Sequence, residues 1–183
     1  RSLANRLKPG FWAGNEYKQF PLGTDYLGRC LLSRIIWGTR TSLSVGFIAV
    51  LISTVFGLIL GIAGGYYGGW IDTLLMRIVD ILFAFPSILL SITIMAALGA
   101  GLEKAMIAIG IVYIPQMARV VRSAVLVIKE MDYIEAEKAL GASHIRIIWH
   151  HVLPNALAPV IVYSTLSVAG AILDAAALGF LGL

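Results

Sequence analysis

Ionisable side chains inside an apolar helix are the residues of this sequence most able to do chemistry. Asp72, Arg77 and Asp80 stand in the first half of one apolar stretch, within roughly a 140° arc of a helix. Two carboxylates that share a proton can activate water for peptide hydrolysis, as in an intramembrane aspartyl protease. Arg77 lies between the acids and can pair with Asp80, which would keep both ionised. We therefore interpret the three as a structural network or gate rather than a substrate contact, with the protease as a remote alternative.

Three histidines are the remaining candidates for catalysis or metal binding. His150 and His151 are adjacent, so they point to different faces of a helix, and no cysteine or carboxylate stands at ligand spacing beside them. With His144, they cluster in a polar segment outside the apolar stretches, which argues against serine-protease chemistry in a span. The single cysteine, Cys30, cannot form an internal disulfide. We expect no catalytic residue and no metal site in this chain.

The composition predicts a membrane protein. Hydrophobic residues make up 59% of the 183 residues and charged residues only 13%, and the mean hydropathy is +0.89, well outside the range of soluble domains. A span needs about 20 apolar residues. We predict four spans, with Pro86 kinking the second, at residues 42–63, 70–98, 105–128 and 155–177. A glycine-rich turn beginning at Gly64 joins the first two.

Near the inner end of the third predicted span, Arg119 and Arg122 lie one turn apart. They could line the exit of a pore or extend to lipid headgroups.

Residues 1–41 form a basic segment before the first predicted span. Apolar side chains recur every four residues from Leu27, which favours a helix in the membrane interface over a soluble amphipathic helix. Because the chain starts at Arg1 and stops inside an apolar run, we expect a fragment. Positive charges flank the spans on both sides, so charge alone leaves the orientation open.

A polar loop at residues 129–154 separates the third and fourth predicted spans. Asp132 and Glu135 have the spacing of a capping box, which predicts a short helix from Tyr133 to about Leu140. Gly141 can adopt the left-handed conformation that ends a helix. Ser143 then predicts a second helix over residues 144–152, and a proline at the next helix start would lose no intrahelical bond. Two capped helices with small residues on one face favour a docking element over a simple connection.

The loop resembles that of the membrane subunits of ATP-binding cassette (ABC) importers. In that family the cytoplasmic loop carries Glu-Ala-Ala, three residues, Gly, nine residues, an apolar position, one more residue and Leu-Pro. The residues that match at this spacing are Glu135, Ala136, Gly141, Leu153 and Pro154. Glu137 and His151 depart from the general pattern. A histidine at the position of His151 resembles the peptide-importer branch of the family.

Two further segments resemble the dipeptide and oligopeptide permeases. The matching residues are Gly23, Thr24, Asp25, Leu27, Gly28, Arg29, Ser33 and Arg34 in the first segment and Asp72, Leu75, Met76, Arg77, Asp80, Phe85 and Pro86 in the second. Cys30 stands where an acidic residue is usual in that branch, and Asp174 where glutamate is. The resemblance covers nearly the whole chain.

The resemblance implies an all-α, polytopic transmembrane bundle with the type I ABC importer permease fold. A full member of the branch has six spans, so the chain would lack the first and last. It also implies an extracytoplasmic segment at 1–41, a permease domain at 42–183 and a cytoplasmic loop at 129–154 in the inner membrane. The residues implied to couple to an ATPase are Tyr133, Ile134, Glu135, Ala136, Glu137, Ala139, Leu140, Gly141, Leu153 and Pro154.

The implied partners are a second permease subunit in a heterodimer, two cytoplasmic ATPases that bind ATP and Mg, an extracytoplasmic substrate-binding protein and membrane lipid. This chain would itself bind no cofactor, and its basic residues have no fold context for nucleic acid. The implied cargo is a peptide, with nickel or an oligosaccharide as alternatives. The spans offer hydroxyls for an uncharged path at Ser53, Thr54, Ser91, Thr93 and Ser164.

Overall fold

The computed structural model describes residues 5–13 and 20–182. These residues form helices and turns, with one isolated β-bridge between Thr24 and Cys30. After a 3₁₀ turn at Phe11–Ala13, the helices are α1 (Leu31–Tyr67), α2 (Gly69–Phe83), α3 (Ser87–Leu98), α4 (Leu102–Ile128), α5 (Asp132–Ala139), α6 (His144–Ile147), a π-helical turn (Ile148–Val152) and α7 (Leu153–Phe180). The prediction of an all-α fold is confirmed.

The chain divides into two compact units, Arg1–Ser44 and Val45–Leu183. In the first unit the carboxylate of Asp25 organises the turn before α1. Its Oδ1 accepts hydrogen bonds from the backbone N–H groups of Leu27 (2.8 Å) and Arg29 (2.9 Å). Its Oδ2 accepts from Arg29 Nε (2.9 Å) and Arg34 Nη1 (2.8 Å). These bonds, led by the one from the Arg29 backbone, lower the pKa of Asp25 to about 2.

Helix α1 is one continuous helix of 37 residues, which corrects two predictions. Residues 31–41, predicted as part of a separate interfacial helix starting at Leu27, are its first turns. No proline interrupts them, and Thr39 and Ser44 return their hydroxyls to carbonyls four residues earlier in the same helix. At the other end, Gly64 and Gly65 remain helical, and the turn is made by Gly68 and Gly69, whose φ values are +67° and +56°.

A line of small residues on α1 brings this helix against α4. Gly57, Gly61 and Gly65 are spaced by four residues and are all buried. A Cβ atom added to Gly57 would lie 2.4 Å from a carbon of Met117, and one added to Gly61 would lie 2.5 Å from a carbon of Val121. Such distances leave no room for a methyl group, so the glycines set how closely the two helices approach.

The second predicted span is broken rather than kinked. Helices α2 and α3 meet at an angle of 91°. Pro86 has no backbone N–H and disfavours a helical conformation at Phe85. Its own ψ of 131° is extended, so α2 ends at Phe83 and α3 starts afresh at Ser87.

Two apolar clusters form the core of the second unit. One contains Ala49 of α1, Met95 of α3, Ile109 of α4 and Ala171 of α7. The other joins Val125 of α4 to the loop and the start of α7. Within the described ranges, three helices are long and apolar enough to cross a membrane, Leu31–Tyr67, Leu102–Ile128 and His144–Phe180, and the bent pair α2–α3 gives up to four spans.

Candidate functional site

Helix α5 of the loop is attached to the span α4 by one apolar side chain. Ile134 is fully buried, in a cluster with Val125, Ile128 and Ile147. Ile134 is one of the residues that the family resemblance implies to couple to an ATPase. Its side chain faces its own chain, so it can anchor α5 but cannot contact a partner.

The start of α5 differs from the predicted capping box. Met131 is the N-cap, and Asp132 is the first helical residue. No side chain caps the helix, because the backbone N–H groups of Ile134 and Glu135 donate to the carbonyl of Met131. Asp132 and Glu135 still lie in the first turn, where negative charge interacts favourably with the helix dipole.

Gly141 ends α5 in a Schellman motif. It has a φ of +79°, the left-handed conformation predicted from the sequence. Its N–H donates to the carbonyl of Lys138 and the N–H of Ala142 to that of Glu137, each at 3.0 Å. Ser143 then caps α6 as predicted, with its hydroxyl accepting from the N–H of Arg146 at 3.4 Å. The loop therefore turns sharply between two ordered helices.

The outer face of α5 carries two alanines and two large side chains, with the acidic Asp132 and Glu135 exposed beside them. Ala136 and Ala139 are exposed, and Leu140 beside them is 85% exposed. Tyr133, at 42% exposure, lies on the preceding turn. An alanine surface with a protruding leucine can seat closely in a groove of another protein.

The two residues that depart from the general loop pattern contact each other. His151 Nε2 lies 3.3 Å from Glu137 Oε1, and the ring of His151 lies beside that of Tyr133 with 5.9 Å between centroids. Glu137 is thus directed toward the start of α7 rather than outward. Both departures are explained by one contact within the chain.

The loop continues into α7 without a break. Helix α6, the π-helical turn and α7 form one helix over His144–Phe180. This corrects the prediction that α6 ends near Val152 and that Pro154 opens a new helix. The N–H of Leu153 donates to the carbonyl of Ile148, five residues earlier, and the side chain of Asn155 donates to the carbonyl of His151 at 2.7 Å. The i→i+5 bond marks a π-helical turn, and the helix runs through this turn to Pro154 without ending.

The predicted polar network connects two helices rather than one. Arg122 of α4 donates to both oxygens of Asp72 of α2 at 2.6 Å, and Arg119 donates to Asp80 at 2.7 Å. The guanidinium of Arg119 also lies over the ring of Phe83, 4.1 Å from its centroid. Charges that would be costly singly in a membrane are paired between α2 and α4.

The predicted pair between Arg77 and Asp80 does not form. Arg77 is exposed and makes no salt bridge within the part of the chain that the structure describes. Asp80 is taken by Arg119, which reaches it from α4. Asp72 and Asp80 each bind their own arginine, so they do not form the carboxylate pair that shares a proton in an aspartyl protease.

The candidate path hydroxyls are divided between core and surface. Ser53 and Ser91 are buried, at 1% and 3% exposure, so they face neighbouring helices rather than a path. Thr54 and Ser164 bond to each other across α1 and α7 at 3.1 Å. Thr93 is exposed and donates to a carbonyl of its own helix. The prediction that these five line one path is wrong for the two buried serines.

The histidines bond to other groups. His144 Nδ1 lies 3.0 Å from the hydroxyl of Tyr66, which links α6 to the end of α1, and His150 bonds to a carbonyl of its own helix. Among residues 5–13 and 20–182, no group of three potential ligands comes together to hold a metal ion.

Sequence reasoning missed two features of the site. The spacing of Gly57, Gly61 and Gly65 by four residues signals close helix packing and was visible in the sequence. A bond from Tyr113 of α4 to Asp174 of α7, at 3.0 Å, had no comparable signal because 61 residues separate its partners.

Comparison with solved structures identifies the fold. The chain resembles one from the MetNI methionine ABC transporter in an inward-facing conformation, with a TM-score of 0.70 and 23% identity. The match covers 83% of this chain and 76% of that one. A chain of an amino acid ABC transporter matches with a TM-score of 0.59 and 17% identity, over the same shares of both chains. The fold is that of ABC importer permeases.

Residues 53–183 match the family model described as binding-protein-dependent transport system inner membrane component. The chain belongs to this family, which is one of transport permeases rather than enzymes. The expected family is confirmed.

Curated relatives carry names of peptide transport. The dipeptide transport system permease protein DppC of Alkalihalophilus pseudofirmus is 56% identical over 161 residues, 88% of this chain and 53% of the relative. DppC of Haemophilus influenzae is 45% identical, over 97% of this chain and 60% of the relative. The glutathione transport system permease protein GsiD of Pectobacterium atrosepticum is 44% identical, over 88% and 54%. The chain spans a little over half the length of these relatives.

Proposed function

We propose that this chain is a permease subunit of an ATP-driven importer, forms part of the translocation pathway for peptides and couples it to cytoplasmic ATPases. The observation that carries the proposal is the geometry of α5, a helix closed by Gly141, exposed on its alanine face and anchored through Ile134. A helix of this kind can receive a push from a partner and pass it to a span. The relatives' names, which refer to dipeptides and glutathione, support a peptide cargo.

The proposed coupling follows the connections of the loop. Closure of an ATPase dimer would move α5, whose anchor Ile134 packs on Val125 and Ile128 of α4. Helix α6 would move with it, and α6 continues into α7 as one helix. Two spans would therefore tilt together. The pairs between α2 and α4, Asp72 with Arg122 and Asp80 with Arg119, would make α2 follow and would serve as the gate.

The proposed assembly contains a second permease subunit in a heterodimer, two cytoplasmic ATPase subunits and an extracytoplasmic substrate-binding protein. ATP and Mg would bind in the ATPases, and this chain would carry no cofactor and no catalytic residue. It would be a multi-pass protein of the inner membrane, with loop 129–154 in the cytoplasm and residues 1–41 outside. This orientation runs against the simple count of positive charges.

Cysteine crosslinking from Ala139 tests the coupling interface. Ala139→Cys in the full-length protein, with Cys30→Ser as background, is co-expressed with the importer's ATPase. We expect a specific crosslink whose yield changes when ATP is added, because Ala139 is exposed on the proposed docking face. Glu103→Cys, at the start of α4 and at the opposite end of that helix from the loop, is the matched control and should give none. An equal yield from both positions, or none from Ala139 with both subunits present, would overturn the interface.

A further inference from the structure

A cavity of about 270 Å³ lies where the bend between α2 and α3 meets α4 and α7. It differs in character from the mainly apolar grooves on this molecule, because carboxylate, phenol, amide and hydroxyl groups converge on it. The residues of the lining that matter here are Phe83, Phe85, Ser87, Tyr113, Gln116 and Asp174.

Asp174 carries a negative charge into this cavity without a cation to balance it. Its Oδ2 accepts a hydrogen bond from the hydroxyl of Tyr113 at 3.0 Å. No lysine, arginine or histidine forms a salt bridge with it in the described ranges 5–13 and 20–182. The two carboxylates of α2, Asp72 and Asp80, each have an arginine. A carboxylate at membrane depth is costly unless a positive charge or several donors reach it.

The rest of the lining suits a small cation. One face of the Phe83 ring is already covered by the guanidinium of Arg119. The ring of Phe85 is 56% exposed, and aromatic faces attract ammonium groups. Gln116 Oε1 accepts from the hydroxyl of Tyr163, and a carbonyl oxygen keeps a second lone pair for another donor. The carboxylate, an amide oxygen and the ring of Phe85 thus line one space.

We propose that this cavity binds the α-ammonium group of a transported peptide, with Asp174 as its counter-ion. The inference rests on the proposed function, because peptides supply a primary ammonium at one end. The volume of about 270 Å³ is near the lower limit of ligand pockets, roughly 300 Å³, so it suits the amino end of a peptide rather than a whole chain. Tyr113 positions the carboxylate, and the bend at Pro86 keeps the mouth of the cavity open.

Charge-selective labelling of a cysteine in the cavity tests the site directly. The small reagents do not have to be delivered by the substrate-binding protein, so its selectivity for cargo does not affect the result. Ser87→Cys, a near-isosteric change at the cavity lining, is made in the full-length protein with Cys30→Ser and assembled into the transporter. Its rate of reaction is measured with 2-aminoethyl methanethiosulfonate, which carries a primary ammonium, and with the 2-sulfonatoethyl reagent. We expect Asp174→Asn to lower the ratio of the two rates about ten-fold, as for a unit charge several Å away at protein-like dielectric. Glu103→Gln removes an exposed acid outside the cavity and should leave the ratio unchanged.

Peptide import gives the second readout. In the assembled transporter, Asp174→Asn should lower the maximal rate of alanyl-alanine import several-fold, Asp174→Glu should restore it, and Tyr113→Phe should fall between them. Suppose that the wild type imports peptide. The ammonium site is then refuted if the Asp174→Asn variant imports peptide equally well, or if its labelling ratio equals that of the wild type. A wild type that imports no peptide refutes the proposed function instead, while the labelling ratio still reports whether the cavity prefers cations.

Discussion

At the scale of single residues, each of two backbone turns depends on one residue. The turn after α5 needs a residue without a side chain, Gly141, and the turn before α1 needs the carboxylate of Asp25. Gly141 permits the bend between α5 and α6 with a φ of +79°, and the space beside it is open, with nothing within 4 Å of an added Cβ. The requirement at this position is therefore backbone conformation rather than room. Asp25 closes the turn before α1 with a charge that four donors share.

Changing Gly141 should separate ATP hydrolysis from transport. Gly141→Val forces a β-branched residue into the left-handed region, at a cost of about 1–2 kcal/mol, so α5 should tilt on its anchor. We expect ATP hydrolysis by the assembled transporter to continue while import falls, with the amount of subunit in the membrane unchanged. Gly141→Asn tolerates the left-handed conformation and is the matched control that should transport normally. Normal import by the valine variant would contradict the coupling role.

The turn around Asp25 should weaken in acid. Its pKa of about 2 lies below the ordinary value of 3.8, so the ionised form is favoured by the folded turn. That stabilisation is present above the ordinary value and is lost as the pH falls through about 2. Amide hydrogen exchange at Leu27 and Arg29 should show protection that declines over this window. Asp25→Asn should reduce the protection at neutral pH and remove its acid dependence. Unchanged protection in that variant would show that the carboxylate does not hold the turn.

At the scale of elements, the packing of α1 on α4 depends on the absence of side chains. The glycine positions at 57, 61 and 65 leave space for Met117, Val121 and Val125 of α4. Close approach of this kind brings backbones into van der Waals contact, which is a main source of helix association where lipid replaces water.

A single methyl group should separate these two helices. Gly61→Ala places its Cβ 2.5 Å from a carbon of Val121 and 2.7 Å from the carbonyl oxygen of Ala118, so α1 must shift. We expect a loss of about 1–3 kcal/mol, measured as thermal stability in detergent. Gly38→Ala in the same helix meets nothing within 4 Å. It should be neutral or stabilising by up to about 1 kcal/mol because alanine favours a helix. Equal changes in thermal stability at both positions would show that helix propensity, and not packing against α4, determines the effect of the substitution.

At the scale of the whole molecule, the loop is joined to the spans at separate points. Ile134 packs on α4, α6 continues into α7, and Tyr66 at the end of α1 bonds to His144. Under the proposed function, a force on α5 would therefore reach three spanning helices. Docking and transmission would use different residues, the exposed Leu140 for the first and the buried Ile134 for the second.

Truncating each of these two residues should give different defects. Ile134→Ala removes a fully buried side chain, at a cost of about 2–5 kcal/mol, and loosens α5 from α4 while leaving the docking face intact. We expect the ATPase to bind with ordinary affinity but import to fall. Leu140→Ala, at a residue 85% exposed, should instead weaken ATPase binding and leave the stability of this subunit unchanged. The measurements are co-purification, import and thermal unfolding. The same defect from both variants would argue against separate roles.

The sequence by itself determined the composition of the bundle and the local shape of the loop. Apolar runs long enough to span a membrane identify the spans, since the bilayer thickness fixes their length. Gly141 and Ser143 act through their own backbone neighbourhood, so their conformations could be predicted from types and spacing. The charged network could also be located from the sequence, because ionisable residues are rare in an apolar stretch and are easily recognised there.

Only the tertiary structure decided which residues meet. Asp80 pairs with Arg119, 39 positions away, rather than with Arg77 on its own helix, because α4 lies beside α2. Ile134 faces inward because α5 packs on α4. A sequence states local preferences, but packing between distant segments selects among them, and for Asp80 and Ile134 the partner came from another helix.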